Sequence, residues 1–146
     1  MSAITVPAVL DAVLAAVRAA LPATQVFDGP PQGDEQDTRV VIGWARTRPT
    51  ITVTRDLDTL GITPAYTERY AIPGVAISYS GDPDVKPRRD AAYTLVQAVA
   101  DAVISAAGIT SLGAAAQLAT GDLTQEKTGT GVQALVDFTI TVTALS

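Results

Sequence analysis

The sequence predicts a single α+β domain in which a mainly antiparallel sheet carries two amphipathic helices on one face. First, the last sixteen residues, GVQALVDFTITVTALS, alternate apolar and polar side chains, which is the period of a strand with one buried face. Second, residues 5–21 and 87–107 repeat apolar side chains every three or four positions, as amphipathic helices do. Third, 146 residues with 47% hydrophobic and 17% charged content suit one folded core. We therefore expect one domain over residues 1–146.

The first half of the chain is expected to form one helix followed by short strands. The helix covers residues 5–21, because Pro7 is tolerated in a first helical turn and Pro22 stops a helix. Polar segments rich in glycine, proline and acidic residues separate the strands. The expected strands are residues 25–28, 39–45 and 66–80, with residues 50–54 as a further strand or as the continuation of residues 39–45. We expect the strand 66–80 to be interrupted at Pro73 and Gly74, since proline within a strand favours a sheet edge or a bulge.

The second half is expected to form a helix followed by two strands. Residues 87–107 form the helix, and Gly108 ends it in the left-handed conformation. Residues 112–123 form a strand, residues 124–131 (TQEKTGTG) a hairpin loop, and the closing strand follows. The polar segments 29–38, 46–64 and 123–131 are long for loops of a compact domain, and such loops usually carry function. We predict that they contact partner proteins.

The composition removes several kinds of chemistry. Histidine and cysteine are absent, which excludes thiol nucleophiles, histidine-based catalytic couples, zinc sites built on these residues, and disulfides. The acidic loops lack the residue spacing of a calcium loop. We therefore predict no catalytic residue, no cofactor, no metal site, no signal peptide and no membrane span. Two alternatives remain open, namely a carboxylate-based hydrolase using Asp56, Asp58 or Glu68, and a module that binds a small ligand in its apolar interior.

Charged and hydroxyl side chains outside the expected core are the candidates for partner contacts. Residues 38–55 hold four arginines and no acidic residue, which indicates a basic patch or an exposed hairpin solvated by its charges. Two further arginines open the second helix, where Asp82, Asp84 and Asp90 are the alternative partners that would neutralise them. Three threonines form the polar face of the closing strand, which we expect the rest of the chain to leave uncovered. The candidates are Asp34, Glu35, Asp37, Arg46, Arg48, Arg55, Asp56, Asp58, Arg88, Arg89, Glu126, Lys127, Thr139, Thr141 and Thr143.

Six segments, in order, carry a resemblance to a known family. They are TVPAVLDAVLAAVRAAL, VFDGPPQ, RVVIGWA, ERYAIPGVAISYSGD, RRDAAYTLVQAVADAVISA and VQALVDFTITVTAL. In this order, and over nearly the whole chain, they resemble the tail terminator proteins of long-tailed bacteriophages with non-contractile tails, which complete the tail and join it to the head. Another neck or tail component of the same kind of virion is the nearest alternative.

The resemblance implies a structural protein of the virion tail or neck, assembled in the host cytoplasm, and not an enzyme. It implies a homo-oligomeric ring, usually a hexamer, that caps the tail tube, stops tube polymerisation and docks on the head connector or stopper protein. DNA would pass through the lumen without specific binding. The net charge of −5 per chain fits this, because an acidic ring repels phosphate and lets DNA slide.

Overall fold

A computed structural model of the protein describes residues 4–31, 37–46, 50–58 and 65–145, with backbone alone at positions 58 and 65. Within these ranges the chain forms three helices and a six-stranded sheet, which confirms the predicted α+β class. The helices are α1 (Val6–Ala20), α2 (Lys86–Ser105) and α3 (Ala107–Thr110). The strands are β1 (Gln25–Asp28), β2 (Thr38–Ile42), β3 (Val53–Asp58), β4 (Ala65–Ser80), β5 (Ala114–Thr128) and β6 (Gly131–Leu145).

The sheet is antiparallel apart from one pair. Its order is β1-β2-β4-β6-β5, and β3 lies beside the first part of β4, beyond the end of β2. Among the strands of the described ranges, only β1 and β2 run parallel. Since side chains alternate along a strand, the sheet has two faces. We call the face that carries Tyr70 and Phe138 the helix face, and the face that carries Val75 and Thr141 the second face.

The main core lies between the helix face and the helices. Seven alternate side chains of β6 are buried on the helix face, as the alternation in the sequence predicts, and all but Val132 belong to this core. Helix α1 adds Val9, Val13, Leu14 and Val17, which at roughly 1.5–3 kcal/mol each supply on the order of 10 kcal/mol before conformational entropy. Helix α2 buries five residues in the same core. The β6 residues are Val132, Ala134, Val136, Phe138, Ile140, Val142 and Ala144.

Strand β4 is continuous, so the expected interruption at Pro73 is wrong. The Pro73 carbonyl accepts a hydrogen bond from the Gly43 amide at 2.7 Å, on the side of β4 where β2 has just ended at Ile42. The nitrogen of Pro73 faces the same side, because both polar groups of a strand residue point one way. Proline is tolerated in this central strand because its missing donor faces the gap between β2 and β3.

The C-terminal hairpin is longer than predicted. Residues 124–128, expected in a loop, continue β5, and the turn consists of Gly129 and Thr130 alone. A bulge between Thr120 and Leu123 interrupts the register of β5 with β6. The polar composition of this segment belongs to an exposed edge strand, where charged and hydroxyl side chains are favoured.

Two other expected boundaries move for local reasons. Gly108 lies inside the short helix α3, and the left-handed residue is Gly113, with φ of 73°. Strand β2 ends at Ile42 because Gly43 takes φ of 89°, a value that L side chains rarely adopt. Strand β3 begins three residues later than the predicted strand 50–54 and extends past Asp56, which lies in the polar segment 46–64 expected to form a loop.

Candidate functional site

The chain itself covers the part of the second face near β2, whereas the expectation of an open surface concerned the three threonines of β6. Val41, Val75 and Ile77 are buried there in a second apolar cluster. After the bend at Gly43 the chain folds back, so that Trp44 packs on this cluster. The part of the second face near β2 is therefore a small core of its own.

A groove of about 550 Å³ is lined by Trp44 and by several charged side chains. The Arg46 guanidinium lies 3.9 Å from the Glu126 carboxylate, and the Gln133 amide donates to the same carboxylate at 2.7 Å. Arg46 and Glu126 keep 70% and 39% of their side-chain surface in solvent. These two candidates, which are 80 positions apart in sequence, thus meet at one rim. Their charges satisfy each other and contribute little to stability.

Beside this cluster, β6 and the first half of β5 present small uncharged side chains on the second face, and the threonine face of β6 is left open, as predicted. Thr141 and Thr143 are exposed, and Thr139 is half-buried. Strand β5 adds Ala115, Gln117 and Ala119 beside them, and we call these six residues the threonine patch. The Thr141 hydroxyl donates to the Gln117 carbonyl at 3.3 Å. A surface of short side chains lets the backbone of a partner approach closely.

The arginines of residues 38–55 do not form one patch. Arg46 lies on the second face, whereas Arg55 pairs with a position of β4 on the helix face. The Arg55 guanidinium lies 3.9 Å above the Tyr66 ring, and its Nε lies 3.9 Å from Glu68. Arg48 lies outside the described residues. Arg39 and Arg46 line the same groove on the second face, whereas Arg55 lies on the helix face, so the predicted patch is divided between the two faces for the arginines that the structure describes.

The arginines at the start of α2 have local partners. Arg88 donates to the buried Ser78 hydroxyl at 3.1 Å and to the Tyr79 carbonyl at 3.5 Å, which ties the helix to β4. Arg89 lies 3.9 Å from Asp90. The hydrogen bond from Lys86 lowers the pKa of Asp90. Arg88 is thus a structural residue, and neutralisation by Asp90 is confirmed for Arg89.

The acids of the hydrolase alternative lie apart. Glu68 is fully buried on the helix face, where its Oε1 accepts the Thr5 amide at 2.7 Å. Asp56 is exposed on the second face and lies 3.2 Å from Arg69. These two carboxylates, on opposite sides of a sheet, do not converge on one substrate. The side chain of Asp58 is outside the described part of the structure.

Glu68 acts as a long-range cap of α1. Thr5 precedes the helix, and its own side chain makes no capping hydrogen bond. The Thr5 hydroxyl instead lies 3.2 Å from the Tyr70 hydroxyl. Burial raises the pKa of Tyr70, the hydrogen bond with Thr5 lowers it, and the charge of Glu68 raises it further. Sequence reasoning missed this role because the partners are 63 residues apart.

The remaining candidates are surface residues or are not described. Asp37 and Lys127 are exposed, the latter near the tip of the β5–β6 hairpin. Asp34 and Glu35 lie outside the described ranges. Within residues 4–31, 37–46, 50–58 and 65–145, no three acidic side chains lie close enough together to hold a metal ion. In the same ranges, no helix is long and apolar enough to cross a membrane.

The outer edge of β5 is a feature that the sequence prediction did not find. Strand β5 has 15 residues and pairs with β6, and within the described part of the chain no other strand pairs with it. With a loop expected for residues 124–131, the predicted strand, and therefore its edge, was too short. Ala116 and Leu118 alternate toward the core, but Leu123 follows the bulge and breaks the alternation.

Comparison with known proteins identifies a solved structure with a similar fold. No protein-family model matches the sequence, and no curated protein matches it. Among solved structures, the chain is similar to one from the virion of a native gene transfer agent particle, with a TM-score of 0.57 and 16% sequence identity. The alignment covers 99% of this chain and 100% of that one. At this identity the comparison shows that the two chains share a fold over their whole lengths.

Proposed function

We propose that the protein is a structural component of a phage-like virion: a ring of identical subunits, six in number, that caps the tail tube. The ring stops tube polymerisation and joins the tail to the head connector or stopper protein. The observation that carries the proposal is the whole-length likeness to a chain of the gene transfer agent virion. The alignment extends over 99% of this chain and 100% of that one, so the likeness is not confined to a single motif.

The surface of the subunit supports assembly. A ring needs two different contact surfaces on each subunit, since head-to-tail contacts are heterologous. The chain offers the open edge of β5 on one side of the sheet and β3 on the other, with the threonine patch between them. Assembly of a ring requires contact surfaces of this kind and requires no catalytic groups.

The charges support a lumen through which DNA moves. Each subunit carries a net charge of −5, so a ring of six identical subunits carries a net charge of −30. Protein surfaces that hold DNA present clusters of lysine and arginine to the phosphates. Here Arg46, Arg88 and Arg89 are each engaged with groups of the same subunit. DNA is then expected to slide through without sequence-specific contacts.

The test is the mass and shape of the purified protein, alone and with tail tubes. Native mass spectrometry should find a species near 90 kDa for six copies of the 15.0 kDa chain, and negative-stain images should show rings. Added to growing tubes, the protein should cap one end and stop elongation. A monomer at every concentration, with no ring on tubes, refutes the proposal. Open-ended polymers in place of closed rings would identify a tail-tube subunit instead.

A further inference from the structure

We propose that neighbouring subunits of the ring join through their sheets: the first half of β5, residues 114–120, pairs with β3 (Val53–Asp58) of the next copy. The inference rests on the proposed ring and adds which surfaces form it. Four observations support it, namely the free backbone groups of β5, the lack of protection along this half of β5, the match with β3, and the relative direction of the two strands.

The backbone groups of alternate β5 residues point away from the sheet. The Leu145 amide donates to the Gly113 carbonyl at 3.1 Å, which makes these opposed residues a hydrogen-bonded pair. Such pairs recur every second residue in an antiparallel ladder. Ala114, Ala116 and Leu118 therefore direct their N–H and C=O groups outward. An outward row of donors and acceptors is a template for another strand.

This half of β5 lacks the features that usually protect an edge. Residues 114–120 read AAAQLAT, with no charge and no proline. The bulge and the charged residues of β5 (Asp122, Glu126 and Lys127) all lie beyond it. By contrast, the edge at β1 is four residues long, and Arg18 donates to its Val26 carbonyl at 3.3 Å. An unprotected flat edge invites pairing, so we infer that a partner strand covers it.

Strand β3 has the complementary features. It pairs with β4 on one side, and no strand of the described ranges pairs with its other side. Val53 and Leu57, on its helix face, leave 39% and 49% of their surface in solvent. Pairing with β5 of a neighbour brings them toward Ala116 and Leu118, which are half-buried on the same face. The pairing thus buries apolar surface that is exposed in the isolated subunit.

The charges of β3 do not oppose the contact. Arg55 lies against Glu68 and Tyr66, and Asp56 lies 3.2 Å from Arg69. The charges of Arg55 and Asp56 are therefore paired within their own subunit. When the uncharged segment of β5 approaches, neither side chain lacks a partner of opposite charge. A charged strand at this position would leave a buried charge without compensation.

Strand direction favours a repeating arrangement. Strand β5 runs parallel to β4, because both are antiparallel to β6, whereas β3 runs antiparallel to β4. Subunits placed side by side in one orientation therefore bring β5 and the neighbouring β3 together antiparallel. Every subunit then keeps its helices on the same side of a continuous sheet. The contact uses two different surfaces and closes into a ring if the rotation per subunit allows.

The test is disulfide trapping, for which a chain without cysteine is a clean background. Thr54→Cys on β3 is combined in turn with Ala115→Cys, Gln117→Cys and Ala119→Cys on β5, all exposed positions of the second face. Within one subunit the two strands are separated by β4 and β6, hence by roughly 14 Å, which is too far for a disulfide. After mild oxidation, at least one combination should give a ladder of covalent oligomers up to ring size on a non-reducing gel.

The control combines the same β5 cysteines with Gln25→Cys, which places the second thiol on the β1 edge of the same face. These combinations and all single-cysteine variants should remain monomers on the gel. Rings by native mass with no ladder from any Thr54 combination overturn the inference and leave the ring itself intact, as does a ladder from the control. Absence of rings overturns both the proposed function and the inference.

A second variant tests the edge by blocking it. Ala116→Pro removes one outward N–H of β5 and no donor of the β5–β6 ladder. The variant should keep its circular dichroism spectrum and lose the ring, with a shift of the native mass to the monomer. Rings of unchanged mass and stability from this variant contradict the inference.

Discussion

Replacing Glu68 by glutamine tests whether a buried carboxylate holds the start of α1. The carboxylate is fully buried, and its Oε1 accepts the Thr5 amide at 2.7 Å while its Oε2 lies 3.9 Å from Arg55. Glutamine has the same shape and retains one oxygen as an acceptor. Glu68→Gln therefore removes the negative charge and leaves the packing of the site almost unchanged.

The expected cost is about 2 kcal/mol of the free energy of unfolding. A hydrogen bond to a charged group contributes roughly 1.5–3 kcal/mol, against about 0.5–1.5 kcal/mol for a neutral one, so its weakening costs about 1 kcal/mol. A negative charge at the positive end of a helix, in a partly buried site, contributes up to about 2 kcal/mol more. The lower desolvation cost of the neutral amide offsets part of this loss.

Urea unfolding at a fixed protein concentration measures the effect, with the fluorescence of the single tryptophan, Trp44, as the signal. A loss of about 2 kcal/mol should lower the midpoint by roughly 1 M at a slope of about 2 kcal/mol per M. Glu126→Gln is the matched control, because that carboxylate is 39% exposed and its loss should cost less than about 0.5 kcal/mol. A Glu68→Gln variant of equal or greater stability would refute the reasoning. The desolvation of the buried charge would then cost more free energy than its hydrogen bond and its interaction with the helix dipole contribute.

Three further substitutions probe the core and the helix contacts. Gly74→Ala puts a Cβ into the Phe138 ring and 2.7 Å from the Val41 carbonyl oxygen, and should cost about 1–3 kcal/mol in urea unfolding, whereas Gly129→Ala, with open space around it, should change stability by less than about 1 kcal/mol. Arg88→Ala removes a partner of a buried β4 hydroxyl and should cost about 1–3 kcal/mol by the same measurement. Burial raises the pKa of Tyr70 above its ordinary value of 10.0, so its stabilising contribution is present below about pH 10 and is lost as pH rises through the folded-state pKa. Unfolding curves above pH 10 should show this loss in the natural protein and a smaller one in Tyr70→Phe.

Periodic segments were predictable because their pattern depends on one local relation, the burial of one face. Strand β6 alternates over its whole length and α1 repeats its apolar residues, and both lie where the sequence placed them. The short strand β1 was also placed correctly. In each case the residues that the local pattern predicts to face the core are the residues that the core buries.

The errors occur where tertiary context overrides a local preference. The expected interruption at Pro73 assumed that proline would cost a ladder hydrogen bond, but the neighbouring strand changes there from β2 to β3. Residues 124–128 have a loop-like composition, yet pairing with β6 extends them as a strand. Local propensity gives no information on which strand lies next to a segment.

The candidate contacts were predicted less well than the fold because they were selected by charge. A charged side chain far from other charges in sequence can still find a partner in the folded chain, as Arg46 does with Glu126. The same is true of Arg55, which lies beside Glu68. Charge patterns in a sequence therefore overestimate the number of groups that are free to bind another protein.

Backbone groups are the part of the surface that side-chain composition does not reveal. Residues 114–120 are mostly alanine and carry no charge, so the sequence offers no reason to single them out. In the folded subunit they nevertheless form an edge whose polar groups face outward without bulge or charge. A monomer with this edge is prone to pair with other chains, and a ring that closes removes the edge from every subunit at once. Closure of the sheet gives a physical reason for a ring, independent of the likeness to the virion chain.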